Sequence, residues 1–101
     1  MPKRADIMSI VRQAVSEGRY VYSQHASERQ RERAISDGDF RCAVANGWHE
    51  KRKDSWVAQH KSWNYALRGS SLSGERLRIA VNLDELDDIG VLVVTLINLD
   101  Q

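Results

Sequence analysis

The stretch Trp63-Asn64-Tyr65-Ala66-Leu67-Arg68-Gly69-Ser70-Ser71-Leu72-Ser73-Gly74-Glu75-Arg76-Leu77-Arg78-Ile79-Ala80-Val81-Asn82-Leu83 decides the fold. Trp63, Tyr65 and Leu67 alternate with Asn64, Ala66 and Arg68, and Leu77, Ile79, Val81 and Leu83 alternate with Arg78, Ala80 and Asn82. A period of two sends successive side chains to opposite faces, so each run predicts a strand with one buried face. Residues 69–75 between them are turn chemistry at hairpin length, which makes the pair antiparallel.

Toward the C terminus, residues 84–88 read as an acidic turn. Residues 89–99 are apolar on both faces, the pattern of a central strand covered on both sides. In the other direction, residues 48–60 predict one or two further strands about a Lys53-Asp54-Ser55 turn. Before Trp48 the period is helical. Ile7, Ile10, Val11, Ala14 and Val15 form the stripe of an amphipathic helix over about residues 6–17, stopped by Gly18. Residues 19–22 are an extended lead to a second helix, for which Ser23 is a natural N-cap. A third helix starts at Ser36, spaced from Asp39 as a capping box, with Ile35 and Phe40 as a hydrophobic staple. Phe40, Ala43 and Val44 supply its buried stripe, and Asn46-Gly47 ends it. Helices first and strands after predict an α+β fold, with N-terminal helices packed on one face of a three- to five-stranded, mainly antiparallel sheet.

The second helix, about residues 24–33, departs from this pattern. Only Ala26 is apolar, so it lacks the stripe that a core-packed helix needs and belongs at the edge of the packed layer, lining a groove. His25, Arg29 and Arg33 follow at four-residue steps along one ridge, their heads able to converge on a single anion. An imidazole that exchanges protons near neutral pH, followed by two permanent cations, suits work on a phosphodiester.

At 101 residues, 42% hydrophobic and 29% charged, the chain has the size and composition of one soluble globular domain spanning residues 1–101. It contains no apolar run long enough to cross a membrane, and none follows the opening residues as a signal peptide would require. A single cysteine, Cys42, fits a reducing compartment, so the cytoplasm is expected. Net charge is only +1, but residues 51–78 carry seven bases against two acids and residues 79–101 carry five acids and no base. That asymmetry permits a basic face for nucleic acid, and it equally fits solvated strands beside an acidic turn. No Walker or Rossmann glycine pattern, nucleophile elbow or close-spaced Cys/His ligand pattern is present, so neither a metal nor a small-molecule cofactor is expected.

His25-Ala26-x-x-Arg29-x-x-Glu32-Arg33-x-Ile35-Ser36, a short helix ending at Gly47, and then Tyr65-Ala66-Leu67-Arg68-Gly69, Leu77-Arg78-Ile79-Ala80-Val81 and Val93-Val94-Thr95-Leu96-Ile97 together resemble a small bacterial domain of unknown function, family 4258, over about residues 20–99. That family is similar to the RelE and barnase superfamily of small ribonucleases, which includes toxins of toxin–antitoxin pairs. The resemblance implies a RelE/barnase-like sheet of four or five strands, metal-independent cleavage of RNA, and neutralisation by a cognate antitoxin.

Metal-free RNA cleavage needs a base for the 2′-hydroxyl, an acid for the leaving 5′-oxygen, and cations for the charge developing at phosphorus. His25 is the candidate acid or base, and Arg29 and Arg33 the candidate phosphate clamp. Glu32 is either a partner base or a brace for Arg29 three residues back, the bracing role being favoured. Arg68 and Arg78, with Tyr65, Lys51 and Arg52, are the expected substrate contacts, and His49 and His60 are secondary candidates. Trp48, Trp56 and Trp63 are assigned to the core, with stacking on a splayed base as their lesser role. The competing role for His25 is a cap or core-edge hydrogen bond. The competing function is a non-catalytic module that holds RNA or an acidic partner segment.

Overall fold

A computed structural model describes residues 3–84 and 89–101. Three helices, α1 (Ile7–Ser16), α2 (Gln24–Arg33) and α3 (Asp37–Asn46), occupy the first half, with a short strand β1 (Tyr20–Tyr22) between α1 and α2. Strands β2 (Trp48–His49), β3 (Ser55–Val57), β4 (Ser62–Ser70), β5 (Arg76–Asp84) and β6 (Gly90–Asn98) follow. The sheet runs β1-β6-β5-β4-β2, and β3 pairs with β4 further along the edge that β2 occupies. The α+β arrangement is therefore as expected, with six strands among the described residues rather than three to five.

The unexpected strand is β1, which lies parallel to β6 with Tyr20 opposite Val91 and Tyr22 opposite Val93. Three residues carry too little alternation to announce a strand. What fixes it is tertiary: the Tyr20 and Tyr22 rings pack on Phe40 with centroids 5.3 and 5.4 Å apart. Their hydroxyls donate to Asp37, the first residue of α3, at 2.7 and 2.6 Å. Residues 48–60 resolve into β2, a 3-10 turn over Lys51–Lys53, and β3.

The β4–β5 hairpin has a tighter turn than the sequence suggested. Gly69 and Ser70 stay in the ladder opposite Leu77 and Arg76, and the turn closes with the Ser71 N–H donating to the Glu75 carbonyl at 2.8 Å. Gly69 is required for another reason: a Cβ there would collide with the Ala43 carbonyl where α3 crosses β4. Gly47 does not end α3 by a left-handed turn, since its φ is −88° and its backbone extended. Arg12 of α1 instead donates to the carbonyls of Val44 and Gly47 at 3.2 and 2.6 Å, satisfying the helix end. The capping box at the other end of α3 is formed, with Asp39 N–H to Ser36 Oγ at 2.9 Å and Ser36 N–H to Asp39 Oδ2 at 3.0 Å.

Ile7, Val11 and Ala14 of α1 and Phe40, Ala43 and Val44 of α3 meet Leu67, Leu77, Ile79, Val81, Val93 and Leu96 on one face of the sheet. Among the described residues no α-helix covers the other face, so β6 is packed on one side, with Leu92 and Ile97 exposed on the outer side. A bulge at Val94 shifts the β5–β6 register, Ala80 facing Thr95 and Val81 facing Val93. There α2 takes over from β1 along the β6 edge. Ser23 donates its N–H to the Val93 carbonyl at 2.9 Å and its hydroxyl to the Val94 carbonyl at 2.8 Å, while accepting from the Ala26 N–H at 3.0 Å. Helix α2 thus covers an edge that would otherwise be open, with Ala26 its one buried residue. Residues 85–88 of the expected acidic turn lie outside the described residues. Among those described, no helix is long and apolar enough to cross a membrane.

Candidate functional site

Directly opposed residues of antiparallel strands share a face of the sheet, so the register assigns the outer surface row by row. Trp48, Arg68, Arg78 and Ile97 form one row across β2, β4, β5 and β6. Ala66, Ala80 and Thr95 form the next. Glu50, two residues past Trp48, returns to this face and donates its N–H to the Ala66 carbonyl at 2.8 Å.

With only alanines at 66 and 80, the Glu50 carboxylate reaches both arginines. It accepts from Arg78 Nε at 2.7 Å and Nη2 at 3.3 Å, and from Arg68 Nη1 at 3.1 Å. Glu50 is 2% exposed. The hydrogen bonds from Arg78, followed by those from Arg68, hold its carboxyl below the usual range against the opposing effect of burial. The outcome is an ionised carboxylate set between two guanidinium groups that remain partly open to solvent. Each guanidinium keeps N–H donors that Glu50 does not use, available to an anion above the sheet.

Asp54 organises the edge beside this pair. Between β2 and β3 the ladder is interrupted, and Asp54 Oδ1 accepts the Ala66 N–H at 2.7 Å where a strand carbonyl would otherwise stand. Its fully buried carboxylate also meets His49 Nε2 at 2.8 Å and Lys3 Nζ at 3.1 Å. His49 faces inward, opposite Leu67, with its ring edge-on to Tyr65 and its Nδ1 buried without a partner. This secondary candidate is therefore committed to the fold. Tyr65, expected at the substrate, also faces the helices: it is buried, and its hydroxyl accepts from the Arg4 N–H at 3.0 Å. Lys51 and Arg52 are exposed on the 3-10 turn next to Glu50, and His60 is exposed in the turn after β3.

On α2, Arg29 Nη1 donates to Glu32 at 3.3 Å, the bracing arrangement favoured from spacing. Arg29 and Arg33 line a shallow groove with Leu96, Ile97, Asn98 and Gln101. Since Ile97 is the cross-strand neighbour of Arg78, the two α2 cations flank the end of the arginine row. Arg33 also lies in the last turn of α2, where a cation complements the helix dipole. His25 is exposed near the start of α2, and no hydrogen bond joins it to Arg68, Arg78 or Glu50. The structure thus sets Arg68 and Arg78 in one row of the outer face and Arg29 and Arg33 on a groove at the β6 edge where that row ends, with His25 exposed nearer the start of α2.

Two residues of this face were not singled out as site residues from the sequence. Glu50 was hidden in Glu50-Lys51-Arg52-Lys53-Asp54, which reads as a solvated charged turn. Trp48 was assigned to the core, yet it is 54% exposed with the Arg68 guanidinium 5.8 Å from its ring centroid. The signal that pointed to both is the two-residue step from Trp48 to Glu50, which matches the outward alternation of Arg68 and Arg78. Among the described residues, no three His, Cys, Asp or Glu side chains come close enough to hold a metal ion.

No curated protein and no solved structure matches the chain. A family match spans residues 22–98, from the last residue of β1 to the end of β6, and so takes in the α2 ridge, Glu50 and both sheet arginines. On that match the chain belongs to the domain of unknown function (DUF4258) family.

Proposed function

We propose that this chain is an endoribonuclease that cleaves RNA without a metal ion, using the outer sheet face as its platform. The observation that supports it best is the Glu50 carboxylate held between Arg68 and Arg78, whose row ends at Ile97 beside the groove lined by Arg29 and Arg33. In the reaction, the 2′-oxygen bonds to phosphorus as the bond to the 5′-oxygen breaks. The proton of the 2′-hydroxyl passes to a base, and an acid protonates the leaving oxygen. Glu50, ionised at neutral pH, is the base candidate on this face, and His25 is the candidate acid at its edge. Arg68 and Arg78, with Arg29 and Arg33 beside them, supply positive charge where negative charge grows. The products are a 2′,3′-cyclic phosphate and a 5′-hydroxyl. The resemblance to ribonuclease toxins extends this reading to the toxin half of a toxin–antitoxin pair, acting in the cytoplasm and neutralised by a cognate antitoxin.

The test is incubation of purified protein with a long RNA in EDTA, followed by analysis of the ends. Cleavage to cyclic phosphate ends is expected, with Glu50→Gln reduced about 10²-fold or more, as for loss of a general base. Unchanged cleavage by His25→Ala rejects His25 as the acid, and no cleavage by the wild type rejects the activity. Growth arrest on expression, relieved by a product encoded beside it, tests the toxin reading. One observation favours the non-catalytic alternative: three hydrogen bonds already occupy Glu50. On that alternative Arg29→Ala and Arg33→Ala weaken salt-sensitive RNA binding, and no cut is ever seen.

A further inference from the structure

Resting on the reading of the outer face as an RNA interface, we infer that the bound RNA is single-stranded and crosses the β-strands, with one base stacked on Trp48. The path follows from the register. Arg29 and Arg33 flank the β6 edge at Ile97, Ile97 opposes Arg78, Arg78 opposes Arg68, and Arg68 opposes Trp48. Cations therefore lie along the row from α2 to β4, and an exposed aromatic ring closes it at β2. Three strand intervals of about 4.8 Å put Trp48 about 14 Å from Ile97, a span that suits a short extended segment of one nucleic-acid strand.

Trp48 stands apart from the other tryptophans. Trp56 and Trp63 pack edge-to-face at 5.6 Å, and Lys3 Nζ lies 4.7 Å from the Trp63 ring centroid. Trp48 has no ring partner among the described residues, is the most exposed of the three, and has the Arg68 guanidinium over one side of its ring, 5.8 Å from the centroid. A base placed on the other side of that ring would meet an aromatic surface backed by a cation already on the phosphate track. A duplex hides its base faces in the stack, so this geometry selects unpaired RNA. Because every base has a π-face, the ring selects for strandedness more than for sequence.

Binding tests this separately from cleavage. A fluorescently labelled, fully 2′-O-methylated oligonucleotide cannot be cut by the proposed reaction, and its anisotropy reports affinity. Trp48→Ala should weaken binding about 5- to 150-fold, the range that corresponds to about 1–3 kcal/mol for one stacked base. Trp48→Phe should recover part of the loss, Trp56→Ala should bind like wild type, and a duplex of the same sequence should bind more weakly than the single strand. Thermal unfolding verifies that the Trp48 variants are folded. Binding by Trp48→Ala within twofold of wild type overturns the inference, as does equal affinity for duplex and single strand, or no binding of the wild type to the oligonucleotide. Trp48-dependent binding without cleavage of ordinary RNA removes the nuclease and leaves this inference standing. Cleavage with Trp48-independent binding does the reverse.

Discussion

Replacing Asp54 with alanine should be among the most damaging single changes in the chain, although Asp54 lies in a surface segment between two very short strands. Its side chain is fully buried and serves three partners at once: the Ala66 N–H, His49 Nε2 and Lys3 Nζ. The variant leaves the Ala66 N–H without its acceptor inside the sheet, which alone costs about 1–3 kcal/mol. It also leaves His49 Nε2, on a ring that is nearly buried, without its hydrogen-bond partner, a second cost of about 1–3 kcal/mol. Together the two losses come to about 2–6 kcal/mol. That is a large part of the roughly 5–15 kcal/mol that stabilises a typical domain. At about 4–8 °C per kcal/mol for a domain near this size, Tm should fall by at least about 8 °C. Lys3→Met is the internal control. Its side chain is about one-third exposed, and solvent screening keeps its share of the pair to about 1 kcal/mol or less. Urea unfolding followed by circular dichroism measures both variants. If Asp54→Ala stays within about 1 kcal/mol of wild type, or loses no more than Lys3→Met, then Asp54 does not take the place of the missing strand and the account of this edge is wrong.

Three further predictions rest on other parts of the fold. Because Arg78 and Arg68 hold the Glu50 carboxyl below its unfolded value of about 4.3, Glu50 contributes stability in full above that pH and loses it as pH falls through its lower folded value. The acid limb of the stability curve should accordingly be shallower in Glu50→Gln than in wild type, and equal slopes between pH 2 and 5 would refute the pairing. Gly69→Ala should destabilise more than Gly18→Ala by urea titration, even though Gly18 has φ +75°, because a Cβ on Gly69 meets the Ala43 carbonyl and one on Gly18 meets open space. The triple replacement of Glu50, Arg68 and Arg78 by leucine should fold with stability within about 4 kcal/mol of wild type, in either direction, and lose RNA binding. Retained binding in the triple variant would remove the outer face from the proposed function.

What the sequence made legible followed from periodicity. The alternation over residues 63–83 foretold β4 and β5, and the stripes of α1 and α3 foretold the helices that cover them. For α2 it was the absence of a stripe that spoke: one buried alanine is what an edge helix needs, and α2 lies on an edge. Three residues of β1 were too few to show a period, and their anchors, Phe40 and Asp37, lie 15 or more residues away. Tyr65 is a different case. Its alternation with Leu67 already faced it inward, so expecting it at the substrate went against the pattern that predicted its strand.

The composition of the outer face is the harder matter, because it depends on register and register is decided by details that composition does not carry. The bulge at Val94 shifts β6 by one position against β5, and since such a shift moves a side chain to the other face, it decides that Ile97 rather than Leu96 stands opposite Arg78. Glu50, Arg68 and Arg78, separated by up to 28 residues, meet on one surface through the β2–β4 and β4–β5 registers and the Glu50 N–H bond to the Ala66 carbonyl. Stability is a weak explanation for that meeting, since burying a carboxylate costs desolvation that well-packed apolar side chains would avoid. Orientation explains it better. Glu50 takes two N–H groups of Arg78 and one of Arg68, which fixes both guanidinium groups on the sheet and leaves each with donors that Glu50 does not use, on the outer face. Held in this way, the two cations present a preorganised site for an anion, whereas unpaired arginines would have to give up side-chain freedom each time they bound one.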